Sequence, residues 1–398
     1  MAEKATILFV INSLAGGGAE RVLTTILGAS APWRDRYDLH LALLDDEPRA
    51  YAVPEWITVT QLDARHRLGA SIAQLRRLVG RLNPDIALAF LTRANVATAI
   101  AMAGRGRPWL ISERVNTSAH LGSGAGAGAI AARAMVRFTY PRARHVIAVS
   151  DGVVDDLVQN FGVARDRVSA IANPVDHDAI AAQAAAPSPL AIDGDYVVAA
   201  GRLVPNKNFA LLVDAFAASG LPHRLVIMGE GPERASLEAQ IAARGLSDRV
   251  LLPGFVANPF AVLGRARLFA MPSNAEGFPN GLVEAMACGL PVVATNCASG
   301  PSEILADLPR ESIVDARQVP AGALVPPNDV AAFASALREI ASEPRRTVAA
   351  DAARQRSLDY GVAEATERYW RRIDAALPPL RTSGSPASPY PLSSGIAR

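Results

Sequence analysis

Cysteine is scarce in this 398-residue chain: only Cys288 and Cys297 are present. Two cysteines exclude a disulfide-stapled secreted scaffold. With few histidines besides, a structural zinc site is not expected. An excess of one charge is missing too, since 40 basic and 38 acidic residues leave a formal net charge of +2. That balance provides no global field for nucleic acid, so any basic function must sit in a local patch. No uninterrupted apolar run reaches the ~18–20 residues needed to span a bilayer. The opening stretch Ala5–Ile11 is too short for a signal-peptide core and reads as a buried strand. The expectation is a soluble cytoplasmic protein, with a peripheral place on the inner face of the cell membrane left open.

What is present is ordinary globular material. Half the residues are hydrophobic and a fifth are charged. At ~100–200 residues per domain, the length suggests two or three domains. Ten short apolar runs read as strands: Thr6–Asn12, Leu39–Leu44, Asp85–Phe90, Trp109–Ser112, His145–Val149, Tyr196–Ala200, Arg224–Met228, Val250–Leu252, Leu268–Met271 and Val292–Thr295. Helix-length stretches such as Ala70–Leu82, Phe209–Ala218 and Glu233–Arg244 alternate with them. Strand–helix alternation predicts α/β architecture with parallel sheets covered on both faces. A Pro- and Ala-rich break at Ala181–Asp195 reads as a linker. The prediction is two doubly wound, Rossmann-like domains facing a cleft. They cover residues 1–185, completed by a returning helix at 361–376, and residues 195–358. His120–Ala129 reads as a glycine-rich loop, and the Pro/Ser-rich tail 378–398 as disordered.

Four segments carry candidate chemistry. Gly16-Gly17-Gly18-Ala19-Glu20-Arg21 follows the first strand, where glycines let backbone approach an anion at a helix start. It could equally be a tight connection. Gly201-Arg202-Leu203 with Lys207 opens the second half, and the two cations suit a diphosphate clamp. Glu276-Gly277-Phe278-Pro279-Asn280-Gly281-Leu282-Val283-Glu284 places two carboxylates eight residues apart among apolar and glycine neighbours. An unpaired carboxylate is costly there, so a shared cleft position is favoured over two solvated charges. Ser112-Glu113-Arg114-Val115-Asn116 ends a strand and reads either as cleft lining or as an ion pair closing a loop.

Together with Ala298-Ser299-Gly300-Pro301-Ser302-Glu303, these segments resemble the retaining glycosyltransferases of family 4, with the GT-B fold. The resemblance covers nearly the whole chain except the tail. It implies that Arg202 and Lys207 hold the donor diphosphate, that Glu276 contacts the donor sugar and that Glu284 binds the ribose. By the same resemblance, backbone at Gly277, Phe278, Pro279, Asn280 and Leu282, the turn at Gly201, and Gly17 and Gly18 surround the donor. The base would lie near Gly229 and Phe255. Where many relatives place a histidine, this chain reads Ser112-Glu113-Arg114. The acceptor side is therefore assigned to Glu113, Arg114 and Asn116, with Glu20 and His120 nearby.

No Asp-x-Asp pair occupies a suitable strand end, so no metal and no cofactor is expected beyond the nucleotide diphosphate-sugar itself. The implied reaction moves a hexosyl group from a uridine- or guanosine-linked sugar to a glycan or lipid-linked acceptor. Arg133, Arg137, Arg142 and Arg144, interleaved with Met135, Val136, Phe138 and Tyr140, suggest contact with an anionic membrane, as do Arg76, Arg77 and Arg81. A solvated arginine face is the plainer reading of the same residues. The alternatives carried forward are a non-catalytic nucleotide-sugar-binding subunit and a GT-B phosphorylase or epimerase. Phosphorylases of this fold use a pyridoxal cofactor on a lysine, and this chain has very few lysines.

Overall fold

A computed structural model of the protein describes residues 4–122 and 126–377. The tail 378–398 and positions 123–125 lie outside the described residues. The first sheet is built from β1 (Ala5–Ile11), β2 (Tyr37–Leu43), β3 (Thr58–Gln61), β4 (Ile86–Phe90), β5 (Trp109–Glu113), β6 (His145–Ala148) and β7 (Val168–Ala170). The second holds β8 (Tyr196–Ala200), β9 (Arg224–Met228), β10 (Val250–Gly254), β11 (Leu268–Met271), β12 (Val292–Thr295), β13 (Arg317–Val319) and β14 (Gly322–Val325). The strand orders are β3-β2-β1-β4-β5-β6-β7 and β10-β9-β8-β11-β12-β14-β13. These are two doubly wound domains with nearly the same winding, as the GT-B expectation required.

Three differences from the sequence reading have physical causes. The strands β3, β7 and β13 are edge strands of three or four residues, too short for a continuous apolar run. The inner strand β14 is only Gly-Ala-Leu-Val and is short in the same way. The second sheet is not wholly parallel, because β13 pairs antiparallel with β14. The expected glycine-rich loop His120–Ala129 is helical at both of its ends. His120 sits in the helix Thr117–Leu121, and Ala127 begins another that runs to Thr139.

Burial explains the continuous apolar runs of the inner strands. Every residue of β4, Ile-Ala-Leu-Ala-Phe, is buried, since helices cover both faces. The helix Val362–Ala376 packs back onto the first domain. There Trp370 stacks between Trp33 and Tyr37, at centroid distances of 5.2 and 5.0 Å. Its indole donates to Ser30 Oγ at 2.9 Å. Removing such a buried side chain costs about 3–5 kcal/mol, which fixes the helix's docking.

The domains also share an apolar core that includes Ile111 and Val153 from one half and Val198 and Leu282 from the other. Polar contacts join them beside it. Ser150 Oγ donates to the Gly277 carbonyl at 2.8 Å. The Glu303 carboxylate accepts from the backbone N–H groups of Asp151 and Gly152 at 2.7 and 2.9 Å, capping the helix Asp151–Phe161 from across the junction. In each sheet the winding reverses beside the first strand, between β1 and β4 and between β8 and β11. Crevices for ligands form at such reversals.

Candidate active site

A cavity of about 360 Å³ lies at the β8–β11 reversal. Its walls are Ala200, Gly201 and Arg202 after β8, the segment Met271–Ser273 after β11, and the loop and helix from Glu276 to Glu284. Gly18 and Arg21 of the first domain close the opposite side. The β8 turn is tight because Gly229 sits against it at φ +140°, where a Cβ would lie 1.9 Å from the Gly201 carbonyl oxygen. Gly229 therefore shapes the turn and does not line the cavity. After that turn, Pro205–Lys207 form one 3-10 turn ending at Asn208, which adopts φ +50°. The Asn208 amide bonds Asn274 and Asn328 and anchors the turn.

This arrangement brings Lys207 Nζ to 2.5 Å from Glu276 Oε1. Lys207 is one of only two lysines in the chain. Glu284, on the helix Asn280–Ala287, is paired with Arg21 from the other domain. Burial pushes the Glu284 carboxyl above its usual range, and Arg21 pulls it partly back. Arg202 is exposed and forms no ion pair among the described residues. His120, on the helix Thr117–Leu121 of the first domain, has its pKa lowered first by burial and then by the Arg202 charge.

Of the expected donor-side residues, Gly18, Gly201, Arg202, Lys207, Glu276, Phe278, Pro279, Asn280, Leu282 and Glu284 line the cavity together. Gly17, Gly229, Phe255 and Gly277 do not. Phe255 is 82% exposed beside Gly254. Gly277 turns toward the first domain, where a Cβ would meet the Arg114 carbonyl at 2.6 Å.

The acceptor-side assignments fare differently. Glu20 is buried and accepts from the Gly16 and Gly17 N–H groups at 2.6 and 2.8 Å, so it holds the glycine turn and does not face an acceptor. Glu113 is fully buried, bonded by the Tyr140 hydroxyl and the Arg114 N–H. Burial raises its pKa although those bonds oppose the rise. Arg114 turns inward to the Tyr369 hydroxyl at 2.7 Å. Asn116 caps the helix Thr117–Leu121 through Ala119 N at 2.9 Å. All three therefore serve the packing of the first domain; His120 is exposed on the helix Thr117–Leu121 and does not line the cavity.

The sequence reading gave no role to Arg21, Asn173, Ser150 or Glu303. Asn173 donates to Asn280 across the junction. Arg21 carried a signal: it lies three residues after Gly18, within the helix's first turn and therefore near the glycine face. The other three contact residues more than 100 positions away, which spacing alone does not reveal. Among the described residues, no group of three His, Cys, Asp or Glu side chains is arranged to hold a metal ion.

Comparison with known proteins agrees with this geometry. Residues 183–356 match the profile of the glycosyl transferases group 1, and residues 16–179 that of Glycosyltransferase Family 4. A Campylobacter jejuni N-acetylgalactosamine-N,N'-diacetylbacillosaminyl-diphospho-undecaprenol 4-alpha-N-acetylgalactosaminyltransferase is 30% identical over 307 residues. The match covers 75% of this chain and 82% of that one. The amylovoran biosynthesis glycosyltransferase AmsD of Erwinia amylovora is 25% identical, over 92% of this chain and 99% of its own. Among solved structures, HepE of Anabaena in complex with UDP superposes with a TM-score of 0.71 at 23% identity, covering 93% of this chain and all of that one.

The chain is a glycosyltransferase with the GT-B fold. It belongs to the family of group 1 and family 4 transferases, which move sugars from nucleotide-sugars to glycan or lipid-linked acceptors.

Proposed function

We propose that the chain transfers a hexosyl group from a uridine diphosphate-sugar to a lipid-linked or surface-glycan acceptor, with retention at the anomeric carbon and without a metal ion. The observation that carries this reading is the single cavity in which Arg202, Lys207, Glu276 and Glu284 converge beneath Gly18 and Arg21. Cleavage of the donor leaves negative charge on the β-phosphate. Arg202, Lys207 and the facing starts of the helices Gly18–Ala29 and Asn280–Ala287 are preorganised to receive it. Glu276, released from Lys207, holds donor-sugar hydroxyls, and Glu284 takes the ribose.

The bond from the anomeric carbon to the phosphate oxygen breaks, and a bond to the acceptor oxygen forms on the same face. The acceptor's proton passes to the departing phosphate. No covalent sugar–enzyme intermediate is needed.

The Campylobacter relative acts on a diphospho-undecaprenol-linked acceptor, which supports a lipid-linked acceptor here. A surface patch supports it as well. Ile130 and Phe138 are 57% and 61% exposed on the helix Ala127–Thr139, with Arg137 and Arg142 beside them. Val136 and Tyr140 of the same stretch point into the core. Basic and apolar groups side by side suit anionic headgroups. No helix among the described residues is long and apolar enough to cross a membrane.

The test is nucleotide release from UDP-N-acetylhexosamines, UDP-galactose and GDP-mannose, with and without a diphosphate-lipid-linked sugar. Acceptor-dependent release from a UDP-sugar with an α-linked product supports the reading. A β-linked product, or a requirement for divalent metal, overturns the corresponding part. Release of sugar-1-phosphate with inorganic phosphate would indicate a phosphorylase.

A further inference from the structure

Two carboxylates stand on the cavity wall, and each already holds one cation. Lys207 and Glu276 belong to the same domain, whereas Arg21 reaches Glu284 across the cleft. The cross-cleft pair is unequal in burial. The Glu284 side chain is 16% exposed and the Arg21 side chain 38%. Among charged groups, Arg21 is the one that offsets the burial of Glu284. Arg21 itself projects from the first turn of the helix Gly18–Ala29, directly behind the glycine turn.

A carboxylate this enclosed is costly when unpaired. A ribose diol supplies two O–H donors and can take the place of a guanidinium on Glu284. The displaced guanidinium then needs an anion of its own, and a diphosphate supplies one with bidentate geometry.

We propose that Arg21 is an exchange ligand: it neutralises Glu284 in the donor-free protein and passes to the donor diphosphate when the ribose engages Glu284. The proposal rests on the nucleotide-sugar reading above and adds to it a donor-binding residue supplied by the first domain. Because the two partners sit on different domains, the exchange replaces a direct link across the cleft with one that runs through the donor. The donor thus becomes part of what holds the closed cleft together.

The test measures binding of UDP and of uridine by titration calorimetry to the wild type, Arg21→Gln and Arg21→Lys. Arg21→Gln is expected to weaken UDP by roughly 10–100-fold, the worth of a charge-assisted hydrogen bond. Uridine, which carries no phosphate, should bind it equally well or tighter, since it no longer displaces a guanidinium. Arg21→Lys should recover part of the UDP affinity. Equal weakening of UDP and uridine, or no change in either, overturns the exchange.

If Arg21→Gln fails to fold, Arg21→Lys carries the test alone: a single ammonium replaces the bidentate fork at the diphosphate, so the ratio of UDP to uridine affinity should fall below that of the wild type. An unchanged ratio overturns the proposal. Failure of the wild type to bind any of UDP, GDP or ADP would instead bring down the nucleotide reading, and the exchange with it.

Discussion

Both sheets carry charged side chains at or just beyond the carboxyl ends of their inner strands, and the two domains use them in opposite ways. In the first, Glu113 ends β5 and is sealed under Tyr140, while Arg114 turns inward to Tyr369 of the returning helix. In the second, Arg202 follows β8 and Glu276 follows β11, and both face the cavity. The backbone winding is nearly the same. What differs is what covers each strand end. The helix Val362–Ala376 and the Tyr140 turn roof the first set, whereas only the cleft lies over the second. Shared topology therefore locates where ligands can bind, but side-chain packing decides which of the two ends is available.

The largest effect that would break this contrast is catalytic. Glu276→Gln and Lys207→Ala should each lower turnover by about 100-fold or more, because preorganised charge at the reacting diphosphate or sugar is lost. The unfolding midpoint of Glu276→Gln should stay close to that of the parent, while Lys207→Ala should lower it, because it leaves the enclosed Glu276 carboxylate unpaired. Nucleotide-release kinetics on folded protein check this, and a loss under threefold would place the chemistry elsewhere.

The next effect is on stability. Glu113→Ala should destabilise the fold by about 3 kcal/mol, since it strips a buried hydroxyl and a buried N–H of their acceptor. Activity per folded molecule should persist. Denaturant unfolding measured alongside turnover separates the two quantities, and a selective loss of turnover would return Glu113 to the cleft.

The smallest effect is a pH slope. Burial raises the folded-state pKa of Glu113 above 4.5. Such a group stays protonated in the folded chain after the unfolded one has ionised, so its contribution to stability falls as pH rises from 4.5 through the raised value. The stability difference between wild type and Glu113→Gln should shift against the wild type between pH 4.5 and neutrality. A shift in the opposite sense would show that the carboxyl is held ionised.

Much of this was legible in the sequence, and the residues show why. The inner strands are continuous apolar runs, and the carboxylates at Glu276 and Glu284 stand among apolar and glycine neighbours, so both patterns are local. The segment Ser112–Asn116 shows where local reading stops. A Glu-Arg pair after a strand looks the same whether a cleft or a roof lies above it. The roof here is Tyr140 and Tyr369, 27 and 256 residues beyond Glu113. Glu20 misled in the same way, because its partners are backbone N–H groups that a side-chain motif does not display. Arg21 was hidden by the reverse effect: its partner Glu284 lies 263 positions away.

The most direct test of the contrast between the strand ends is UDP binding measured by titration calorimetry on wild type, Lys207→Ala and Glu113→Gln at one ionic strength. The account predicts that Lys207→Ala weakens binding by about tenfold or more, one charge-assisted contact at the diphosphate, while Glu113→Gln stays within twofold of the parent. Equal weakening by both substitutions, or weakening by Glu113→Gln alone, would contradict it.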